Sequence, residues 1–360
     1  MPVLAPGSTI GILGGGQLGR MLAMAAARLG LKCHIYSDLS GPACDVAAAG
    51  TIAPYEDLDA VRAFAASVDV VTYEFENVPL ATAAAANDVK PVRPGIKALE
   101  VAQDRLIEKR FISGLGIPVA PFASVDGDDD LIAALETLGA PAILKTRRLG
   151  YDGKGQVRIT DRAASGGARA EISRAPAIIE GHVAFAYEVS VLVVRGIDGA
   201  SVVYDVPLNT HKGGILDTSA VPSPLPPRAM TRASDIAHRI AGALDYVGLL
   251  AVELFYLGDA APEPLVVNEI APRVHNSGHW TIDACAVSQF ENHIRAVAGW
   301  PLGDTGRHSD AVMTNLIGRD VLDWRTLAAE PGACLHVYGK NQPKPGRKMG
   351  HVTRITPRTA

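Results

Sequence analysis

The chain has 360 residues, 48% of them hydrophobic, with 34 Lys and Arg against 38 Asp and Glu for a formal net charge of −4. That length supports two or three domains, and the charge balance leaves no basic surface for nucleic acid. Residues 1–6 lack a positively charged leader, and no uncharged run reaches the roughly eighteen residues needed to span a membrane, so a cytoplasmic protein with neither nucleic-acid nor membrane partners is expected. Cys33, Cys44, Cys285 and Cys334 lie far apart with no C-x-x-C spacing, which points to free thiols and indicates neither a disulfide framework nor a zinc site.

The first hundred residues alternate β and α patterns. A buried strand over 9–13 is followed by a helix over 17–29 with Leu18, Leu22, Ala25, Ala26 and Leu29 on one face and Gly30 as its stop. Further strands over 32–36 and 69–73, with an alanine-rich helix over 57–67 between them, predict a parallel sheet. Gly14, Gly16 and Gly19 satisfy G-x-G-x-x-G between strand and helix, and Asp38 ends the next strand. On these residues alone an NAD-dependent dehydrogenase is the favoured reading. The underlying physics is broader, because backbone N–H groups at a helix N-terminus hold any phosphate. Glu74 and Glu76 stand two apart at a strand end and share a face, either to meet a ligand or to cap the next helix.

A charged helix is expected over 96–114. A strand over 142–145 then carries Lys145, a charge that needs an anionic partner in a half-buried setting. It leads into Gly150-Tyr151-Asp152-Gly153-Lys154-Gly155-Gln156, where three glycines let backbone N–H groups approach phosphate oxygens and Lys154 adds a cation. The loop lacks the Gly-Lys-Ser/Thr ending of a Walker motif, and taken alone such a hairpin is a turn. Residues 161–177 carry no signature, and a proline-rich loop spans 222–227.

The apolar run 249–256 holds Glu253, and the strand-like 264–268 ends at Asn268-Glu269, followed by Ala271-Pro272-Arg273-Val274-His275-Asn276-Ser277. Two acids on neighbouring strands make an oxygen-rich pocket of the kind Mg2+ favours, held by one or two carboxylates plus a substrate's phosphates. Arg273 offers a planar guanidinium that matches a planar oxyanion bidentately. Near the C-terminus Lys340, Arg347 and Lys348 put three cations within nine residues. By composition alone that is a solvated loop.

Lys145, the 150–156 loop, Glu180, Glu188, Glu253 and Asn268-Glu269 come in the order expected of the ATP-grasp ligases, and the chain resembles that superfamily. Gly14-Gly15-Gly16-Gln17-Leu18-Gly19-Arg20-Met21, Tyr73-Glu74-Phe75-Glu76-Asn77, Gln103-Asp104-Arg105, Asn209-Thr210-His211, Tyr338-Gly339-Lys340 and Gly346-Arg347-Lys348-Met349-Gly350-His351 narrow the resemblance to the 5-(carboxyamino)imidazole ribonucleotide synthase family over nearly the whole chain. The resemblance implies a mixed α/β and α+β fold. Its parts would be a Rossmann-like pre-ATP-grasp domain over 1–104, a small grasp lobe over 105–178, a large lobe over 179–300 and a C-terminal substrate-binding segment over 301–360. It implies carboxylation of aminoimidazole ribonucleotide by bicarbonate through carboxyphosphate, in purine biosynthesis, with ATP and Mg2+ as cofactors and a homodimer as the assembly.

By the same resemblance Glu253 and Glu269 hold Mg2+ beside Asn268, and Arg105 and Lys145 hold ATP phosphates under a lid of Gly150, Gly153, Lys154, Gly155 and Gln156. Glu180 and Val183 meet adenine, Glu188 meets the ribose, and His211 belongs to the nucleotide site or makes an ordinary loop hydrogen bond. Arg273, Asn276 and Ser277 grip bicarbonate. Gly16, Gln17, Leu18, Glu74, Glu76, His275, Lys340, Arg347 and Lys348 take the ribonucleotide. Tyr151 and Asp152 lie near the reacting centre, with Asp152 handling the proton. Other grasp ligases share such an ATP site, among them the formate-dependent glycinamide ribonucleotide transformylase, and a non-catalytic nucleotide-binding regulator is a third reading.

Overall fold

The computed structural model describes residues 3–150 and 153–359. Tyr151 and Asp152, both singled out in the sequence, lie outside the described residues. Strands β1 (Thr9–Leu13), β2 (Lys32–Ser37), β3 (Ala49–Ile52) and β4 (Val70–Tyr73) form a parallel sheet in the order β3-β2-β1-β4. The helix Gln17–Arg28 follows β1 as its pattern requires, burying Leu18, Leu22 and Ala26.

The single helix expected over 96–114 is two helices, Ile96–Ala102 and Arg105–Gly114. Asp104 breaks them: it leaves helical geometry, and its carboxylate accepts from the N–H groups of Leu106 and Ile107, an N-cap that starts the second helix. Arg147 clamps the same carboxylate at 2.8 Å. Arg105, Glu108 and Lys109 therefore sit at the start of this helix, at i, i+3 and i+4, and share one side of it.

Strands β5 (Phe122–Val125), β6 (Ala142–Thr146), β7 (Gln156–Ile159) and β8 (Ala177–Gly181) make an antiparallel sheet in the order β5-β8-β6-β7. The remaining strands are β9 (Tyr187–Arg195), β10 (Ser201–Val203), β11 (Leu208–Lys212), β12 (Ile215–Val221), β13 (Gly248–Tyr256), β14 (Leu265–Ala271), β15 (Ser309–Ile317), β16 (Ala333–Val337) and β17 (Lys348–Pro357). They form one sheet ordered β14-β13-β9-β11-β12-β15-β17-β16, with β10 on the flank of β9. The C-terminal strands thus continue the large sheet through the β12–β15 pair, which brings residues 338–348 back toward its functional face. The helix Gln17–Arg28 packs on Gln289–Ala298, and Leu22, Ala26, Ile294 and Val297 share one core that ties the parallel domain to the large sheet. No helix among the described residues is long and apolar enough to cross a membrane.

Candidate active site

One face of the large sheet carries the chemistry. Glu188 and Ser190 on β9 stand opposite Phe255 and Glu253 on β13, and Glu253 in turn stands opposite Glu269 on β14. Strand alternation sends consecutive side chains to opposite faces, so Asn268 and Glu269 should not share a site. A β-bulge resolves this: Glu253 pairs with Glu269 and Leu254 with Val267, leaving Asn268 as the extra residue. Both Asn268 and Glu269 then line a cleft of about 850 Å3 between the two antiparallel sheets and the parallel domain.

The cleft wall also takes Gln17, Leu18, Glu74, Glu76, Arg105, Lys145, Gly150, Gly153, Lys154, Gln156, Glu188, His211, Glu253, Arg273, His275, Asn276, Lys340, Arg347 and Lys348. Most of the residues singled out by sequence are therefore brought together. Gly16, Gly155, Glu180, Val183 and Ser277 are not on the wall, and each has a local reason.

The Gly16 N–H donates to the Glu74 carboxylate at 2.5 Å and the Gly19 N–H at 2.8 Å. A side chain on Gly16 would place its Cβ 2.5 Å from Glu74 Oε1, so glycine is required there by Glu74. The anion at this helix N-terminus is an internal carboxylate. A dinucleotide's pyrophosphate would meet that buried acid, which tells against the dehydrogenase reading. Burial raises Glu74 despite these N–H donors. Gln17 and Leu18 remain at the cleft.

The Glu180 side chain is withdrawn from the cleft. Its Oε2 lies 3.0 Å from Lys145 Nζ and 3.4 Å from Lys109 Nζ, all three being almost fully buried. Burial would raise the carboxyl, and the two ammonium groups outweigh it and lower it. Val183 sits in the segment joining β8 to β9, and Phe185 is that segment's contribution to the wall, stacked on Phe255 at 4.6 Å. Gly155 is buttressed within the hairpin, where its Cβ would fall 2.7 Å from Thr146 Oγ1.

Ser277 is fully buried and works through others. Its hydroxyl bonds His275 Nδ1 at 2.8 Å and Ser190 at 2.7 Å, and Ser190 is held in turn by Asn209. His275 Nε2 is then aimed at Glu253 Oε1, 3.2 Å away. Burial and the nearby Arg273 push His275 down to about 3, so it is a neutral imidazole here. Asn276 exchanges two hydrogen bonds with Asn315, at 2.9 and 3.0 Å.

Arg105 donates to Glu269 Oε2 at 2.7 Å and to the Gly150 carbonyl at 2.9 Å, linking the metal-type acids to the glycine loop. Burial and the facing Glu269 push Glu253 up to about 7. Burial acts on Glu269 too, but Arg105, Lys145 and Lys109 outweigh it and hold Glu269 at about 2. Arg273 pairs with Glu76, and His211 with Glu188. In the C-terminal loop Lys340 Nζ donates to the Lys348 carbonyl at 2.7 Å.

Sequence reasoning missed Glu108, Lys109 and His279. Glu108 accepts from the Ile270 N–H and is pushed up to about 8 by burial and Glu269. Lys109 donates to the Asn268 carbonyl at 2.6 Å. Their signal was spacing, three and four residues after Arg105. His279 lines the cleft beside Tyr338.

Three family models match in tandem: the ribonucleotide synthetase preATP-grasp domain over residues 7–103, the ATP-grasp domain over 110–290, and the phosphoribosylaminoimidazole carboxylase C-terminal domain over 311–360. The N5-carboxyaminoimidazole ribonucleotide synthase of Brucella melitensis is 53% identical over 359 residues, covering 99% of this chain and 98% of the relative. The chain belongs to the N5-carboxyaminoimidazole ribonucleotide synthase family. The family's members are ATP-dependent ligases of the ATP-grasp fold. The crystal structure of the Thermus thermophilus synthetase superposes with a TM-score of 0.89 at 45% identity, covering 96% of this chain and 93% of that one. The Aspergillus clavatus synthase in complex with ADP and 5-aminoimidazole ribonucleotide gives 0.91 at 29% identity, covering 98% and 94%.

Proposed function

We propose that the chain uses ATP and bicarbonate to carboxylate the exocyclic amine of 5-aminoimidazole ribonucleotide, giving 5-(carboxyamino)imidazole ribonucleotide, ADP and phosphate. The observation that carries this reading is the facing pair Glu253 and Glu269 at the floor of one continuous cleft. That cleft is lined by Lys145 and Lys154 and also by Gln17, Lys340, Arg347 and Lys348. Two phosphate-bearing substrates fit such a cleft end to end.

Bicarbonate is a poor electrophile. Its oxygen takes the γ-phosphoryl group, ADP leaves, and the amine then attacks the carboxyl carbon of carboxyphosphate while phosphate departs with the bridging oxygen. The donor set of two carboxylates with an adjacent amide suits Mg2+, which when bound neutralises charge on the transferring phosphoryl group. Glu253 and Glu269 would hold it, with Asn268 beside them. Arg105, now on Glu269, would share itself with ATP phosphates, as would Lys145. Phe185 and Phe255 would give adenine an apolar face and Glu188 would take the ribose. The 150–156 loop, including Tyr151 and Asp152, would close as a lid and exclude water, with Asp152 handling the proton. Arg273, released in part from Glu76, would position bicarbonate. His275 and the buried Ser277 behind it would orient Glu253.

We place the acceptor's phosphate between Gln17, Leu18 and the Lys340, Arg347 and Lys348 cluster, with Glu74 and Glu76 near its ribose and amine. The division at 104, 178 and 300, a homodimeric assembly and a cytoplasmic site of action belong to the same proposal. The test measures ADP formation with aminoimidazole ribonucleotide plus bicarbonate against glycinamide ribonucleotide plus formate. Turnover with the first pair alone is expected. Turnover with the second pair alone overturns the reading.

A further inference from the structure

Behind the acceptor end of the cleft, and off its wall, lies a second cluster of ligating side chains. Asp283 comes from the helix Thr281–Ala284, His336 from β16 and His351 from β17, where His336 and His351 are cross-strand partners with rings stacked at 4.4 Å. His336 Nε2 lies 2.9 and 3.1 Å from the two Asp283 oxygens. One ligand atom from each of the three residues lies within 4.8 Å of the others.

His351 supplies the independent observation. It is fully buried, and its Nδ1 bonds the Tyr338 hydroxyl at 2.8 Å, while its Nε2 has no hydrogen-bond partner. A buried imidazole nitrogen left bare is costly. With Nδ1 engaged by Tyr338, Nε2 is the atom left for a ligand, an arrangement that metal-binding histidines use to fix their tautomer. The Asp283 carboxylate supplies the negative charge, and half-buried His336 opens the cluster toward solvent.

We propose that Asp283, His336 and His351 form a binding site for a divalent transition-metal ion of zinc type, distinct from the carboxylate pair in the cleft. Two imidazoles and one carboxylate are ligands that borderline metals such as Zn2+ take and that Mg2+ does not prefer. Zinc-bound nitrogen and oxygen atoms lie about 3.3 Å apart in a tetrahedral set, so binding requires the half-buried His336 ring to turn out of its stack on His351 until both imidazoles face one ion. The fourth position is left to water. The ion would lock His351 behind Tyr338, whose ring lies 5.6 Å from Lys340 Nζ at the acceptor end of the cleft. Reading for zinc among cysteines misses this site, since its ligands are two histidines and an aspartate on separate elements.

The test titrates chelator-treated full-length protein with Co2+ as a spectroscopic stand-in for Zn2+, following the visible ligand-field band and then its displacement by Zn2+. One Co2+ per chain is expected. Affinity should fall at least tenfold in His336→Ala and in Asp283→Asn, each checked for native circular dichroism, and should be unchanged in Glu253→Gln. No ligand-field band at micromolar Co2+, or a band that survives His336→Ala and Asp283→Asn but disappears in Glu253→Gln, overturns the proposal.

Discussion

Glu253 and Glu269 face one another across β13 and β14 as a directly registered pair, yet burial and its neighbour push Glu253 up to about 7 while Arg105 holds Glu269 at about 2. One acid of the pair is therefore ionised throughout the physiological range and the other only on its alkaline side. The asymmetry comes first from Arg105, which of the two acids touches only Glu269, with Lys145 and Lys109 adding to it.

Metal binding at this pair must release the Glu253 proton. The apparent Mg2+ affinity is predicted to fall about tenfold per pH unit below 7 and to level off above it. Mg2+ titrations of activity and of thermal stability at pH 6, 7 and 8 measure this. A flat profile removes Glu253 from the ligand set.

The same shift predicts a stability effect without metal. An unfolded Glu253 ionises near its ordinary 4.5, whereas the folded one keeps its proton to about 7. The folded state therefore binds more protons between those values, and the contribution is intact below 4.5 and lost as pH rises through 7. Glu253→Gln stays neutral at every pH. It should melt above the wild type at pH 8 by at least about 2 °C in the absence of divalent ions, and no higher at pH 4.5.

Glu269→Gln removes the charge that meets Arg105 and, on the proposed reading, the metal. Turnover is expected to drop at least about a hundredfold, the scale of one lost transition-state contact. The melting temperature should fall as well, because Arg105 loses its ion-pair partner. Near-normal ADP release by the folded variant would contradict the assignment.

On the proposed assignment the two ends of the cleft should separate kinetically. Lys145→Ala should raise the KM for ATP, and because it also strips Glu180 of one of its two ammonium partners it should destabilise the fold. Arg347→Ala lies in an exposed loop and should raise the KM for the ribonucleotide alone. Loss of ATP affinity in the Arg347 variant would show the acceptor clamp to be misplaced.

Much of this site was legible in sequence where local chemistry announces itself. The strand carrying Lys145, the glycine loop and the two glutamates are each written in a few adjacent residues. What stayed hidden depends on long-range geometry. The bulge at Asn268 has no marker in the run Val266-Val267-Asn268-Glu269, yet it alone lets both polar residues enter the cleft. The diversion of the Gly16 N–H to Glu74 joins residues 58 apart, and the glycine fingerprint reads the same whether the anion it meets is a phosphate or a carboxylate. Glu180 looked like a nucleotide contact by its order in the chain. Only the tertiary arrival of Lys109 shows it as the buried centre of an ion triad. Asp104 ends the first expected domain, and its role as the cap that splits the helix there depends on the non-helical backbone at that residue.

The central claim is that the γ-phosphoryl group of ATP activates bicarbonate for capture by the ribonucleotide amine. Turnover in 18O-labelled bicarbonate tests it most directly, with the released phosphate examined by mass spectrometry. Transfer of one labelled oxygen into phosphate, in step with ADP and dependent on aminoimidazole ribonucleotide, is the predicted result. Unlabelled phosphate formed at the same rate would mean that ATP is spent on another acceptor and would contradict the account.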